Sequence, residues 1–527
     1  VPDTVAPGHV SAICQSGSVG EALLGLGGRV GFRCVVSSGG EAVTDTADLL
    51  SFLAGDPGTQ AIGLFLETVR RPAVFAEALA RCAVAKKPVV CLKVGRSPAA
   101  ARAVLAHTGA LVGSDRAFSA LLRRYGVLQV DDFGELVETL EVLGCARRPI
   151  GTRVGAISES GGEGALLADR GEAAGLPFEP LPAPLARSLS AEFPNYLAPG
   201  NPLDAWAVDE AELVFPRSLE LMAASEAFDI LLAQVDLSQF RGNTEQGWIE
   251  TIVRGLAAAA AGRSVFAAVT SVHSADPPRQ IQALARELDL PLLRGAGPAM
   301  RALARVAGWR PARVDRGERS ETIGLGGLLD VEGALPEHES ALVLERYGVR
   351  FAARRRAATS DEAAAAAAEI GWPVVVKLDG PAHKSRVGGV VLGVETPEEA
   401  ADAARSLGAS VLVAEQLPPG IEAFCGMTRD PQYGPILAVG AGGTAVESLG
   451  RIVLAAAPID AETALELVAE AGIELARDEV ASALVALSRL AAEHPEIAEI
   501  DLNPLILSAD GAIAVDALVV VHRGARP

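Results

Sequence analysis

Two short loops of small residues, each between an apolar run and a helical pattern, are the first features of this sequence that point to chemistry. One contains Ser16 and Gly17 in QSGSVG, and the other contains Gly161 and Gly162 in ESGGEG. Amides at a helix N-terminus carry partial positive charge, and glycine lets an anion approach them closely. Each loop therefore predicts a phosphate-binding turn, although glycine in such a turn often serves packing alone. The two copies add the hypothesis that two helix N-termini converge on one phosphate.

A histidine between these loops is the candidate phosphoacceptor. His107 lies in AHTGA, a stretch with no regular pattern. An imidazole is nucleophilic near neutral pH, and helix N-terminal amides would stabilise its phosphorylated form. Glu67 follows the apolar run Ile62 to Leu66, and active groups collect at the carboxyl ends of parallel strands, so we expect it to orient the ring. The alternatives are a loop histidine with a structural hydrogen bond and an ordinary surface glutamate.

Lysine is rare in this chain and marks a second candidate site. Of the 46 basic residues only five are lysines, and Lys377 and Lys384 lie in one motif near the start of the last third. Where arginine supplies the generic positive charge, a retained lysine is a candidate for a place that requires a compact ammonium, and the alternative is retention by chance. Lys377 ends the apolar run VVVK. A lysine on a buried strand is costly unless it meets an anion, and a nucleotide phosphate is the usual one.

Three residues further along the chain complete the predicted nucleotide site. Glu415 ends VLVAE, which is typical of a hinge strand whose backbone reads an adenine. Asn503 in EIDLNPL and Asp516 in VDA follow two strand patterns. Oxygen side chains on adjacent strands suit a Mg²⁺ ion held together with nucleotide phosphates. The alternative for an isolated Asp or Asn is turn formation.

The elements that must position these residues follow from length and composition. A chain of 527 residues predicts three or four domains. Half the residues are apolar but only 4% are aromatic, which favours layered α/β cores of Ala, Val, Leu and Ile. Strand and helix patterns alternate as in doubly wound parallel sheets, and the pattern restarts after residue 147. We therefore predict two similar α/β domains, at 1–147 and 148–325, and an α+β domain at 326–527.

Charge and cysteine usage exclude several classes of protein. A formal charge of −20 argues against a nucleic-acid surface, because phosphate neutralisation needs clustered Lys and Arg. The six cysteines contain no C-x-x-C pair, so neither a disulfide framework nor a zinc site is indicated. No apolar run reaches the ~18 residues that span a bilayer. We expect a cytoplasmic protein that binds neither nucleic acid nor membrane.

Several long motifs carry a family resemblance over nearly the whole chain. QSGSVGEALL, KPVVCLKVGRS and AHTGALVG resemble the phosphohistidine domain of succinyl-CoA synthetase and of the ADP-forming acyl-CoA (acetate–CoA) ligases. ISESGGEGALLADRGEAAGLPF is similar to their second flavodoxin-like domain, and VVVKLDGPAHKSRVGGV and EIDLNPL resemble their ATP-grasp domain. The resemblance implies two flavodoxin-like domains followed by an ATP-grasp domain, in the order of the fused single-chain members.

The resemblance also implies a role for each candidate residue. His107 corresponds to the phosphorylated histidine and Glu67 to its supporting glutamate. His383 corresponds to a second histidine that relays the phosphoryl group in some relatives. The remaining assignments are phosphate binding for Ser16, Gly17, Gly161 and Gly162, nucleotide binding for Lys377 and Glu415, and Mg²⁺ binding for Asn503 and Asp516.

The implied reaction is reversible: a carboxylic acid, CoA and ATP interconvert with acyl-CoA, ADP and phosphate. These enzymes carry an N-terminal CoA-binding domain before the phosphohistidine domain. In this sequence only seven or eight residues precede the first strand pattern. We expect that domain upstream or on a partner polypeptide, in a homo-oligomer or a complex of paired halves. The sequence does not predict which acid is used.

Two other functions remain open at the level of sequence. An ATP-grasp ligase that joins an acyl phosphate to an amine would need no CoA, but a phosphohistidine segment would then be redundant. A nucleotide-sensing regulatory module without turnover would bind ATP and form no labelled protein. Product analysis with CoA and amine acceptors, and ADP–ATP exchange, distinguish these functions from the acyl-CoA ligase.

Overall fold

A computed structural model of the chain divides it into two compact units. The first unit comprises residues 1–112 and 125–314, and the second comprises residues 113–124 and 315–527. Within the described part of the chain, no helix combines the length and the apolar character that crossing a membrane requires. The described residues are 5–97, 99–100, 114–196, 198–205, 210–237, 243–313, 322–380, 388–408, 410–442 and 451–522.

The first unit contains two parallel five-stranded sheets. The first sheet has the order β2-β1-β3-β4-β5 and the second the order β7-β6-β8-β9-β10, with parallel pairing throughout. Both sheets thus repeat the order 2-1-3-4-5 of a flavodoxin-like doubly wound fold, which confirms the predicted fold class. The strands are β1 (Pro7–Cys14), β2 (Phe32–Ser37), β3 (Ala61–Leu66), β4 (Val89–Lys93), β5 (Leu128–Val130), β6 (Val154–Ser158), β7 (Leu203–Asp204), β8 (Ile230–Gln234), β9 (Phe266–Ser271) and β10 (Leu292–Arg294).

Helices connect these strands, and their termini follow local sequence signals. Asp45 accepts hydrogen bonds from the amides of Ala47 and Asp48 in a capping box at the start of the second helix. Pro72 opens the third, where a missing amide hydrogen costs nothing. Numbered in chain order, the helices from residue 17 to 308 are α1 (Gly17–Leu24), α2 (Thr46–Gly55), α3 (Pro72–Val84), α4 (Asp115–Arg124, in the second unit), α5 (Phe133–Gly144), α6 (Gly161–Ala173), α7 (Ala183–Glu192), α8 (Ala211–Ala224), α9 (Asn243–Ala260), α10 (Arg279–Glu287) and α11 (Ala296–Gly308).

One apolar core joins the two sheets of the first unit. It includes Leu140 of α5 and Leu303 of α11 together with strand residues from both sheets. Charged groups are buried beside it: Arg29 forms ion pairs with Glu138 and Glu141, and both carboxylates are less than 10% exposed. The carboxylates need these partners because an unpaired buried charge is strongly destabilising.

The second unit contains two antiparallel sheets, as an α+β domain requires. The larger sheet has the order β11-β21-β19-β16-β17-β18, with β20 paired to β19, and the smaller has the order β12-β15-β13-β14. A short 3₁₀ helix spans Gly326–Leu329. The strands are β11 (Gly333–Ala334), β12 (Arg354–Ala357), β13 (Val374–Leu378), β14 (Val390–Val394), β15 (Val411–Glu415), β16 (Ile421–Asp430), β17 (Gly434–Ala441), β18 (Val453–Ala456), β19 (Ile497–Ser508), β20 (Gly511–Ala514) and β21 (Leu518–Val521). The helices besides α4 are α12 (Glu337–Glu345), α13 (Ser360–Ile370), α14 (Pro397–Leu407), α15 (Ala461–Glu470) and α16 (Arg477–Glu493).

Each sheet of the second unit is covered by its own helices. Val374 and Val376 of β13 pack with the alanine-rich faces of α13 and α14, which explains how this small sheet forms a core without aromatic residues. The larger sheet packs against α16, whose Leu484 and Leu487 are fully buried. The domain boundaries at 147 and 325 stay predictions.

Candidate functional site

The first glycine turn joins β1 to α1 and is open on the side from which a ligand would approach. Ser16 takes the N-cap position with an extended backbone (φ −97°, ψ 125°), and its Oγ lies 3.0 Å from Oγ of Ser18. A methyl group added at Gly17 would meet no described atom closer than Oγ of Ser37, at 3.7 Å. Local packing therefore does not require glycine here, whereas a close approach to the helix amides would.

A glutamine fixes Glu67 beside this turn. The side-chain oxygen of Gln15 accepts hydrogen bonds from the amides of Glu67 (2.5 Å) and Thr68 (3.0 Å), and its Nε2 donates to the carbonyl of Thr68 (2.8 Å). Gln15 and Glu67 are both buried. Glu67 thus lies where the sequence predicted it, at the carboxyl end of β3. Gln15 was not predicted from the sequence, because its role depends on contacts with residues more than 50 positions away.

The neighbouring loops at this edge of the sheet are held by buried carboxylates. Arg71 donates from Nε and Nη2 to the two oxygens of Asp45, both at 2.7 Å, and these hydrogen bonds lower the pKa of Asp45. Glu41 accepts hydrogen bonds from Ser38 Oγ (2.8 Å) and the amide of Thr46 (3.0 Å). Both carboxylates are therefore structural anchors of the loop after β2.

The second glycine turn joins β6 to α6 and differs from the first in its electrostatics. A methyl group at Gly161 would lie 2.8 Å from a carboxylate oxygen of Asp204, whereas one at Gly162 would meet only Ser160 Oγ, at 3.7 Å. Gly161 is thus required by the close approach of Asp204, which ends β7. The partial positive charge of the α6 N-terminus stabilises that carboxylate, so a phosphate at this turn would have an anionic neighbour.

A histidine and two carboxylates support the second turn from the adjacent strands. The amide of Asp236 donates to Glu159, which precedes the turn, at 2.9 Å. Asp236 Oδ1 lies 2.6 Å from His273 Nε2, and His273 Nδ1 accepts from the amide of Ala275 at 3.2 Å. Since Nδ1 is the acceptor, Nε2 carries the proton and donates it to Asp236. No sequence motif assigned a role to Glu159, Asp236 or His273.

In the second unit Lys377 meets a carboxylate and a carbonyl. Its ammonium lies 3.0 Å from Glu337 Oε1 and also donates to the carbonyl oxygen of Val515. Lys377 is 8% exposed and Glu337 is 4% exposed, so the ion pair offsets the cost of burying the charge. An ammonium has three donors, and these contacts account for two of them.

Asn503 and Asp516 are brought together across one strand pair. Strands β19 and β20 are antiparallel, and the amide of Val515 donates to the carbonyl of Pro504 at 3.3 Å. Asn503 precedes Pro504 on β19, and Asp516 follows Val515 just beyond the end of β20. Asn503 is exposed and Asp516 half-buried, and Lys377 is bonded to the residue before Asp516. Lys377 is therefore linked to the strand end that precedes Asp516, and Asn503 lies on the strand paired with it.

Glu415 lies apart from Lys377 on the neighbouring strand. It pairs with Val374 in the β13–β15 ladder, three residues from Lys377, which is roughly 10 Å at the usual strand rise. Its side chain is exposed, while its amide donates to the carbonyl of Ala353. His107 and His383, the two histidines predicted to carry phosphate, lie outside the described residues.

A divalent cation fits the donors that the second unit presents. In the described ranges, no three His, Cys, Asp or Glu side chains are grouped as a metal site. Mg²⁺ is commonly held by one or two oxygen side chains together with substrate phosphates. Asp516 and Asn503 provide such a pair, so the chemistry of the donor set suits Mg²⁺ bound with a nucleotide.

Comparison with known proteins gives matches over nearly the whole chain. Residues 7–143 match the succinyl-CoA ligase-like flavodoxin domain, and residues 328–521 match the ATP-grasp domain. An ADP-forming acetate–CoA ligase of Archaeoglobus fulgidus is 32% identical over 98% of this chain and 78% of its own length. A trans-feruloyl-CoA synthase from an unknown prokaryotic organism is 31% identical over 93% of this chain and 72% of its own length.

A solved structure supports the fold independently. The dinucleotide-forming acetyl-coenzyme A synthetase 1 of Candidatus Korarchaeum cryptofilum, in complex with phosphate and ADP, aligns with a TM-score of 0.51 and 23% identity. The alignment covers 58% of this chain and 65% of that chain. At this identity the likeness concerns the fold alone.

Proposed function

The chain belongs to the family of ADP-forming acyl-CoA ligases, and from that membership we propose that it converts a carboxylic acid, CoA and ATP into acyl-CoA, ADP and phosphate through a phosphohistidine. The observation that carries this proposal is the attachment of Glu67 to the first glycine turn by Gln15. A buried carboxylate beside a helix N-terminus with an open Gly17 is suited to hold an imidazole while the amides receive its phosphoryl group.

In the nucleotide half-reaction, Lys377 and its neighbours hold the triphosphate. The Glu337 carboxylate and the Val515 carbonyl hold the Lys377 ammonium in one orientation. The third N–H of the ammonium therefore has a fixed direction before the nucleotide binds. Asn503 and Asp516 would hold Mg²⁺, which when bound would neutralise negative charge on the phosphates. A nitrogen of His107 then bonds to the γ-phosphorus as the bond to the ADP oxygen breaks.

In the acyl half-reaction, the turn at Ser16 and Gly17 receives the phosphorylated ring. Glu67 would accept a hydrogen bond from the N–H of one ring nitrogen and keep the other, phosphorylated nitrogen directed at the α1 amides. A carboxylate oxygen of the substrate attacks phosphorus, and His107 leaves as the neutral imidazole. The acyl phosphate then loses inorganic phosphate when the CoA thiolate attacks its carbonyl carbon.

The second glycine turn would bind the phosphoryl group weakly. The Asp204 carboxylate already lies at the N-terminus of α6 beside Gly161. A phosphate that binds there would be attracted by the amides of Gly161 and Gly162 and repelled by the negative charge of Asp204. Weak binding at this turn would favour transfer of the phosphoryl group to the substrate, because a tightly bound phosphoryl group is transferred more slowly. His383 would serve as a relay on the nucleotide side.

We place CoA binding in a domain that acts together with this chain, either on the same polypeptide or supplied by a partner subunit. The nucleotide half-reaction needs neither CoA nor that domain. Its direct test is the exchange of labelled ADP into ATP in the presence of Mg²⁺ and the absence of acid and CoA. We expect exchange by the protein and its loss in His107→Ala. Exchange that persists undiminished in His107→Ala, or no exchange by the unsubstituted protein, would overturn the proposal.

A further inference from the structure

Helix α4 follows the His107 segment in the chain but packs in the second unit, although β4 before it and β5 after it belong to the first. We propose that α4 is a docking helix that stays attached to the nucleotide-binding unit throughout turnover and thereby positions His107. The inference rests on the proposed function, since it assigns α4 the role of holding one end of the segment that carries the phosphoacceptor.

An aromatic contact forms the centre of the docking surface. Phe118 of α4 is 1% exposed, and its ring centroid lies 5.5 Å from that of Tyr433. Tyr433 occupies the turn between β16 and β17, where the carboxylate of Asp430 accepts hydrogen bonds from the amides of Gln432 (2.8 Å) and Tyr433 (2.9 Å). These hydrogen bonds hold Tyr433 in the turn against which α4 packs.

Two arginines at the end of α4 add polar contacts. Arg123 binds Glu470, the last residue of α15, through both carboxylate oxygens, with Nη1 3.0 Å from Oε1. These hydrogen bonds lower the pKa of Glu470. Arg124 donates from Nη1 to the carbonyl of Ala457, which follows β18. The bidentate geometry fixes the rotation of the helix as well as its position.

These contacts favour the docked state strongly. Burial of Phe118 alone is expected to favour docking on the order of ten- to a hundredfold, and the half-exposed ion pair of Arg123 and Glu470 by a few-fold more. Undocking would be rare, so the helix acts as a fixed attachment point. His107 lies eight residues before Asp115, and an extended chain of that length spans at most about 29 Å.

Attachment at one end raises the effective concentration of His107 at the nucleotide site. The matched pair Phe118→Ala and Phe52→Ala tests this, because Phe52 of α2 is 71% exposed. Phe118→Ala should slow phosphorylation by γ-labelled ATP at least tenfold with nucleotide Kd unchanged, and Phe52→Ala should change it less than twofold. An unchanged rate in a folded Phe118→Ala protein would overturn the docking role.

A cross-link tests whether α4 stays docked, and it remains decisive if Phe118→Ala does not fold. In Arg123→Cys/Glu470→Cys, a short bis-maleimide should join the two positions without loss of either half-reaction, measured against the same variant before cross-linking. Retention of phosphorylation but loss of transfer to the acid after cross-linking would show that α4 must undock. If the unsubstituted protein forms no phosphoenzyme at all, the proposed function fails instead.

Discussion

Replacement of Gln15 by leucine tests whether the position of Glu67 governs the acyl half-reaction. The side chain of Gln15 makes three hydrogen bonds to residues 67–68. A neutral hydrogen bond contributes about 0.5–1.5 kcal/mol net, and a buried group left without a partner costs more. Gln15→Leu keeps the approximate volume and removes all three, so we expect a loss of about 2–4 kcal/mol in the free energy of unfolding.

The free energy lost with these three hydrogen bonds also limits how far Gln15→Leu can slow the acyl half-reaction. If all of it holds Glu67 in place for phosphoryl transfer, the rate falls by about 30- to 1000-fold. The assay isolates labelled phosphoenzyme and measures its decay in a single turnover with acid added. We expect at least a tenfold slower decay in Gln15→Leu, and less than a twofold change in phosphorylation by ATP, because Gln15 lies in the other unit.

Gln60→Leu is a matched control, because the side chain of Gln60 is exposed. We expect it to change neither stability by more than about 0.5 kcal/mol nor either rate. A stability loss in Gln15→Leu without slower transfer to the acid would refute the positioning role of Gln15. Equal slowing of both half-reactions would show that the effect comes from general destabilisation.

Two further predictions concern the second turn and the buried charges. The free energy of unfolding should be at least about 1 kcal/mol lower for Gly161→Ala than for Gly162→Ala, because only the methyl group at position 161 would lie 2.8 Å from Asp204. A lower thermal unfolding midpoint for Gly162→Ala than for Gly161→Ala would contradict this geometry. Burial raises the pKa of Glu138 and of Glu141 above the ordinary 4.5, although both carboxyl groups pair with Arg29. Since the folded state then retains protons that the unfolded state has released, the free energy of unfolding should fall as the pH rises from about 5.5 to about 8. Urea midpoints at the two values check this, and a double Glu→Gln variant that keeps the full pH dependence would refute it.

The sequence predicted the fold class because the features that determine it are local. The apolar runs that precede the two glycine turns form β1 and β6, so the repeat indicated two similar sheets. The shortest strands were not predicted. β7 contains only Leu203 and Asp204, and two or three residues are too few for a periodic pattern.

The candidate site was predictable where a residue follows its own strand and not where it depends on a distant contact. Glu67 and Lys377 end apolar runs, so their positions followed from the pattern. Gln15 acts on residues 67–68, and Glu337 is the ion-pair partner of Lys377 from 40 residues away. No local periodicity carries such information. The same holds for α4, because no local pattern specifies the unit in which it packs.

The proposed mechanism requires one imidazole, that of His107, to carry phosphorus from the nucleotide site to the first glycine turn. Incubation with γ-labelled ATP and Mg²⁺, followed by peptide mapping, shows whether it does. We expect acid-labile, base-stable label on the peptide that contains His107, its discharge on addition of the carboxylic acid, and no label in His107→Ala. Stable label on another residue in His107→Ala, or label that the acid does not discharge, would refute the mechanism.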